Sequence, residues 1–248
     1  MNILKHFVLW VHVPIEAVDQ HKIVDYTDKL LSKRLNAKTI NCHLTCIRVF
    51  YHYLYHEEEI KMSNPVKRGS TLRMPRRLPR HLRDEELSVL LNAITKPRDK
   101  AMVMVMLRCG LRVEELAHLQ LADLDLRQSS IFVRHAKGGK QRVVYISNDA
   151  REMLIDYLRV RGPSRSRRIF LVEKGRCKGD SISVRGVQKR IEYYARKTKL
   201  RICCHQLRHT MATQLLNAEA EVVTIQDLLG HSVISTTERY CWCQTSKS

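Results

Sequence analysis

Five side chains of this chain answer one chemical need. Arg112 stands in Gly110-Leu111-Arg112-Val113-Glu114-Glu115-Leu116, at a turn between two apolar runs. His205 and Arg208 stand three apart in His205-Gln206-Leu207-Arg208-His209, and His231 follows Leu228-Leu229-Gly230. Tyr240 comes nine residues after His231. An arginine cannot shed its charge, so among apolar residues it needs an anion or a carboxylate. Glu115 offers the carboxylate, which leaves a purely structural pair as the alternative. A helix puts His205 and Arg208 on one face. A phosphodiester under attack becomes a negatively charged pentacoordinate transition state. Arginines can bridge its non-bridging oxygens with paired donors. Histidines can donate hydrogen bonds or move protons near neutral pH. A tyrosine hydroxyl can attack and leave a covalent phosphotyrosine, which conserves the bond for rejoining.

A hydrolytic zinc site is the rival reading of His205 and His209, four apart. The metalloprotease pattern H-E-x-x-H needs a glutamate where Gln206 stands, so the general base is missing. Cys241-x-Cys243 and the Cys203-Cys204 pair lack the two-residue spacing of zinc knuckles. The expectation is therefore no metal and no cofactor.

These residues need helices to place them. Ile40, Leu44, Ile47, Tyr51 and Leu54 recur on one helical face, with Asn41, His43, Arg48 and His52 on the other. An earlier segment puts Ile23, Tyr26, Leu30 and Leu31 on a second stripe, and Asn36 between them can cap the next helix. Helices are also expected over 84–94, 100–109 with Gly110 as C-cap, 113–120, and from 149 to 160 after Asn148 as cap. Runs 131–135 and 141–146 read as two strands of a hairpin around Ala136-Lys137-Gly138-Gly139-Lys140, and 169–172 can supply a third strand. From Ser183 onward the chain reads as helical in several pieces. The fold class is mostly α with a small antiparallel β-sheet, in two domains.

From Lys61 to Arg83 there are eight basic residues and no acid, interrupted by Pro65, Pro75, Pro79 and Gly69. This reads as a basic linker. The boundaries expected are 1–62 for a helical domain, 63–83 for the linker and 84–248 for a second domain. A formal charge of +19, from 44 Lys plus Arg against 25 Asp plus Glu, points to a polyanionic partner. No amphipathic basic helix or lipid signal supports a membrane surface. The apolar stretch Ala101 to Leu107 is too short to span a bilayer. The N-terminal MNILKHFVLWVHVP reads as a core-facing helix rather than a signal peptide. The expected location is the cytoplasm, with the nucleoid. Eight cysteines in such a chain are expected to be reduced thiols.

At its chemical residues the sequence resembles the tyrosine recombinase (phage integrase) family, whose pattern is Arg, Lys, His-x-x-Arg, His or Trp, then Tyr. G-L-R-x-x-E-L supplies Arg112, with Glu115 as its supporting acid. The hairpin A-K-G-G-K-x-R resembles the family turn G-K-G-x-K-x-R and supplies Lys137. H-Q-L-R-H-T supplies His205 and Arg208, L-L-G-H-S supplies His231, and T-T-E-R-Y supplies Tyr240. The spacing of the last four is similar to that of Xer-type members. K-T-I-N-x-x-L-x-x-I-R-x-F-Y-x-Y-L resembles the family's helical core-binding domain. The turn departs from the pattern at Ala136 and holds two lysines. Lys140 is assigned to phosphate or solvent, and an exchange of roles with Lys137 is the alternative.

The resemblance implies a site-specific recombinase or integrase. Tyr240 attacks phosphorus, giving a 3′-phosphotyrosyl link, and strands exchange through a four-way junction. Arg112 and Arg208 hold the phosphate, His205 serves as base, Lys137 as acid, and His231 as hydrogen-bond donor. The partners implied are double-stranded DNA carrying specific sites and, on synapsed DNA, a homotetramer formed from free monomers. His43, Arg48, Arg76, Arg77, Lys140, Arg185, Lys189 and Arg190 are candidate DNA contacts, with a solvated face as the alternative for each. Only eight residues follow Tyr240, where relatives use a longer segment for docking, so weak protomer contacts are expected. The alternatives in function are a type IB topoisomerase-like enzyme, a resolvase, or a DNA-binding protein without catalysis.

Overall fold

Asn36 decides where the longest helix begins. In this computed structural model, which describes residues 2–74, 80–134 and 141–230, the Asn36 side chain accepts from the Thr39 backbone N–H at 2.8 Å. It thereby caps α3 (Ala37–His56), as its position predicts. Two helices precede it, α1 (Ile3–Val11) and α2 (Gln20–Ser32), the latter capped by Asp19. The chain divides into two compact units, Met1–Arg77 and Leu78–Ser248.

The first unit closes around Phe7, Val11, Ile23, Tyr26, Leu30, Ile40, Leu44, Ile47 and Tyr51. The two expected stripes are visible there, apart from Leu31, which is exposed, and Leu54, which is only half-buried and outside the cluster. One polar assignment is corrected. His43 is only 6% exposed, and its Nδ1 lies 3.0 Å from the Tyr26 hydroxyl, which also meets His6 Nδ1 at 2.8 Å. A side chain enclosed with an aromatic neighbour is core, so His43 is not available to phosphate. The basic segment after α3 is held along that helix. Asn41 and Leu72 exchange two hydrogen bonds, at 2.9 and 2.8 Å. Asn64 donates to the Arg48 carbonyl, and Val66 is buried.

The second unit begins with α4 (Asp84–Ala93), and its core is threaded by α5 (Pro97–Cys109). Every residue from Ala101 to Leu107 is buried, as expected of a helix apolar on all sides. Proline opens α5, three residues before the expected start at 100, and Gly110, at φ +60°, ends it as expected. Then follow α6 (Val113–His118) and an antiparallel sheet in the order β1 (Leu124–Asp125), β2 (Ser130–Val133), β3 (Arg142–Tyr145). The β2–β3 register pairs Val133 with Arg142 at the mouth of the hairpin. Ile131, Val133 and Val144 turn into the core.

The third strand comes from Leu124–Asp125 rather than from 169–172. The latter segment bonds instead to a tyrosine and to loops. Tyr157 donates to the Ile169 carbonyl and accepts from the Leu171 N–H, both at 3.1 Å, while Ile182 N–H donates to Phe170. Only an isolated bridge, Leu171 with Ser181, is left of the ladder. Helix α7 (Asn148–Val160) starts one residue earlier than expected, with Ser147 at the capping position. Three helices finish the described chain: α8 (Val184–Thr198), α9 (Cys204–Asn217) and α10 (Val222–Leu229). Among the described residues no helix is long and apolar enough to cross a membrane.

Candidate active site

The left-handed turn at Gly110 reverses the chain out of α5 and presents Arg112 at the start of α6. Glu115, in the first turn of α6, reaches back. Its Oε2 accepts from the Arg112 N–H and its Oε1 from Arg112 Nη1, both at 2.8 Å. A second guanidinium arrives from β3. Arg142 donates Nη1 to Oε1 and Nη2 to Oε2 of Glu115, each at 2.9 Å. The carboxylate, 1% exposed, is thus clasped between two arginines.

The same arginines also meet a helix end. Helix α10 stops at Gly230 in a left-handed conformation, φ +60°, leaving carbonyls without intrahelical donors. Arg142 Nε donates to the Leu228 carbonyl at 2.9 Å. Arg208, on α9 and only 2% exposed, donates to the carbonyls of Leu229 and Gly110. Arg112 Nη2 donates to the Gly230 carbonyl at 2.9 Å. Three consecutive carbonyls therefore receive three guanidiniums from three different elements. The negative end of the helix dipole favours this arrangement. The positive φ favours glycine at position 230, and a Cβ there would crowd Arg142 Nη1 at 3.2 Å.

His205 lies in the first turn of α9, three residues before Arg208 and on its face. Although the residue is exposed, the protein packed around the ring lowers its pKa below the ordinary histidine value, and the charges of Arg208 and Arg112 lower it further. The ring packs edge-on against His209, centroids 4.2 Å apart. Of the expected set, then, the structure brings together Arg112, Glu115 and Arg208, with His205 beside them. Lys137, His231 and Tyr240 lie outside the described residues.

The DNA-contact candidates divide. Arg76, Arg77 and Lys140 lie outside the described residues. Arg185 and Lys189 are exposed on α8, with Arg185 3.4 Å from Glu192. Arg190 is engaged by Asp99 at 2.9 and 2.6 Å, next to Tyr194, and Arg48 donates to the carbonyls of Val66 and Lys67. Both guanidiniums brace the fold in this conformation. The sequence reading passed over Arg142. Its signal was already present as the final arginine of A-K-G-G-K-x-R.

Glu115 makes stability depend on pH. Burial pushes its pKa up, but hydrogen bonds and charge from Arg142 and then Arg112 outweigh burial and hold it at about 2, against an ordinary 4.5. The folded value is depressed, so the stabilisation is fully present above the unfolded pKa and is lost as pH falls from about 4.5 toward 2. It amounts to on the order of 3 kcal/mol. Urea midpoints measured across this window are expected to fall more steeply for the native chain than for Glu115→Gln. Parallel curves would remove Glu115 as the cause.

Comparison with known proteins agrees with this geometry. Residues 80–246 match the model of the phage integrase family, and residues 2–58 match its N-terminal SAM-like domain. Tyrosine recombinase XerC of Thermodesulfovibrio yellowstonii is 34% identical over 250 aligned positions, covering 96% of this chain and 82% of that protein. Tyrosine recombinase XerA of Thermococcus kodakarensis is 33% identical, covering 90% of this chain and 77% of its own length. The fold is shared with the transposon Tn1549 integrase in complex with a circular intermediate DNA, at TM-score 0.79 and 18% identity over 95% of this chain and 86% of that one. It is shared also with a lambda integrase dimer bound to a core site, at TM-score 0.75 and 16% identity over 96% of this chain and 70% of that one. The two matched segments, the relatives a third identical along nearly the whole length and the arginine-centred site agree: the chain belongs to the phage integrase family of tyrosine recombinases.

Proposed function

We propose that this recombinase cleaves duplex DNA at a specific site through Tyr240 and rejoins it with a partner strand. The observation that carries this reading is the convergence of Arg112 and Arg208, from separate elements, on the turn that leads directly into His231. Two fixed guanidiniums beside one another are suited to a phosphate, whose oxygens gain charge as phosphorus is attacked. Tyr240 supplies the nucleophile and forms the 3′-phosphotyrosyl bond, releasing the 5′-oxygen. A free tyrosine has a pKa near 10, so it needs a proton acceptor at neutral pH. With its pKa lowered, His205 is neutral at pH 7 and can take that proton. Lys137 gives a proton to the 5′-oxygen, His231 hydrogen-bonds the phosphate, and Glu115 orients Arg112. The arginine pair supplies the charge neutralisation, so the reading calls for no cofactor.

The helical core-binding domain, 1–62, the basic linker, 63–83, and the catalytic domain, 84–248, act as a DNA clamp, with the first part of the linker, up to Leu72, packed onto α3 of the first unit. Net charge of +19 supports general affinity for the backbone, and Arg185, Lys189, Arg76, Arg77 and Lys140 extend it. Four protomers on synapsed sites exchange strands through a four-way junction. Its place of work is the nucleoid, in the cytoplasm.

The test begins by selecting a bound site from a pool of randomised duplexes. A nicked suicide version of that site is expected to trap a covalent adduct. Peptide mapping should place the DNA on Tyr240, with the yield unchanged by EDTA. An adduct on another residue, or none from a site that is bound tightly, sinks the proposal.

A further inference from the structure

Of the three guanidiniums at the α10 terminus, the third has no place in the chemistry so far. Arg142 has 10% of its side chain exposed and commits every nitrogen to a partner: both Nη atoms to Glu115 and Nε to Leu228. It is the first residue of β3, paired with Val133, so it sits at the foot of the hairpin that carries Lys137. Through Glu115 it reaches Arg112, and through Leu228 it reaches the turn before His231. We propose that Arg142 is a positioning residue for strand cleavage, fixing the Glu115 carboxylate and the Leu228–Gly230 turn so that Arg112 and the chain entering His231 are presented in one register. The inference rests on the recombinase reading above. Arg142 need not touch DNA for this role.

A planar fork suits the task. Its two Nη atoms lie side by side to match both carboxylate oxygens while Nε reaches a carbonyl, a spread of fixed donors that the compact lysine ammonium lacks. The surroundings of Glu115 set what its loss does. Arg112 stands on its own helix, His118 one turn on, and Asp123 with Arg134 lines the small cavity beside it. From α9, Arg208 and His205 stand near Arg112. Without Arg142, Glu115 keeps its burial and loses its strongest anion-stabilising partner, so its pKa climbs.

The test uses the full chain and the suicide duplex selected above, in single turnover. Arg142→Met is expected to slow adduct formation about a hundredfold, the scale of a small misplacement of reacting groups. The salt dependence of DNA binding should stay unchanged, whereas losing a phosphate contact would lower its slope by about one. The variant should also acquire a new acid limb in its pH–rate profile. That limb should be absent from the native protein and should vanish in Arg142→Met combined with Glu115→Gln. His205 titrates in all of these proteins and so cannot account for the difference. Arg142→Lys should suppress the new limb, because its charge still faces Glu115, yet restore the rate only in part. A native rate and profile in Arg142→Met, or a pH-independent loss with a lower salt slope, overturns the assignment. If Arg142→Met does not fold, Arg142→Lys decides by the same rate and affinity comparison. A native protein that binds its selected site and forms no adduct overturns the recombinase reading itself.

Discussion

Tyr240→Phe is expected to abolish the covalent adduct, with a loss of at least ~10⁴-fold in cleavage rate, while DNA binding is retained. The argument is one of subtraction. Phenylalanine removes a single oxygen. No other part of the proposed site can form the phosphotyrosyl bond, and nucleophile deletions leave only the catalysis that binding and electrostatics provide. The phosphate cradle should be kept, because Arg112 and Arg208 are held by Glu115 and by the main-chain carbonyls of Gly110, Leu229 and Gly230. Affinity for the selected duplex should therefore stay within about twofold, with the same salt dependence. Denaturing gels of the trapped reaction check the first part and gel shifts the second. An adduct that persists in the phenylalanine variant would refute Tyr240 as nucleophile.

Arg208→Lys carries the second large effect, a fall of about 10²- to 10³-fold in single-turnover cleavage. Lysine keeps the charge but offers a compact ammonium in place of a fork. One ammonium cannot span the carbonyls of Gly110 and Leu229 and also face a phosphate. Arg208→Met goes further. It leaves buried carbonyls short of a donor and should cost about 1–3 kcal/mol in unfolding free energy. The two variants separate catalysis from folding. Lysine is expected to lower the rate with little change in denaturation midpoint, and methionine to lower both. A lysine variant that cleaves at the native rate excludes any need for bidentate geometry at this position.

Much of this was readable from residue types in order. Periodicity located the core stripes of α2 and α3, because a half-buried helix must repeat its apolar residues every three or four positions. Asn36 and Gly110 marked helix ends, since capping is local chemistry, whereas the start of α5 at Pro97 went unread. Motif spacing named Arg112, Glu115, His205 and Arg208, which the fold brings together. What escaped depends on partners far along the chain. His43 looked like surface until Tyr26, seventeen positions earlier, met its ring. Arg190 looked like a DNA contact, yet Asp99 lies ninety-one positions away in sequence and binds it. The strand expected at 169–172 failed because Tyr157 and a loop satisfied its backbone instead. Arg142 was quoted within a motif and passed over, because nothing local says that a hairpin arginine will meet a helix end.

The three carbonyls at the end of α10 bear on entropy as well as geometry. A free arginine side chain carries about 2 kcal/mol of rotamer freedom. Arg112 and Arg208 surrender much of that freedom when the protein folds, because Gly230 and Leu229 hold them before any DNA arrives. Folding, not DNA binding, bears that ordering cost. An incoming phosphate thus meets donors that are already still, and more of its contact energy is available to the transition state.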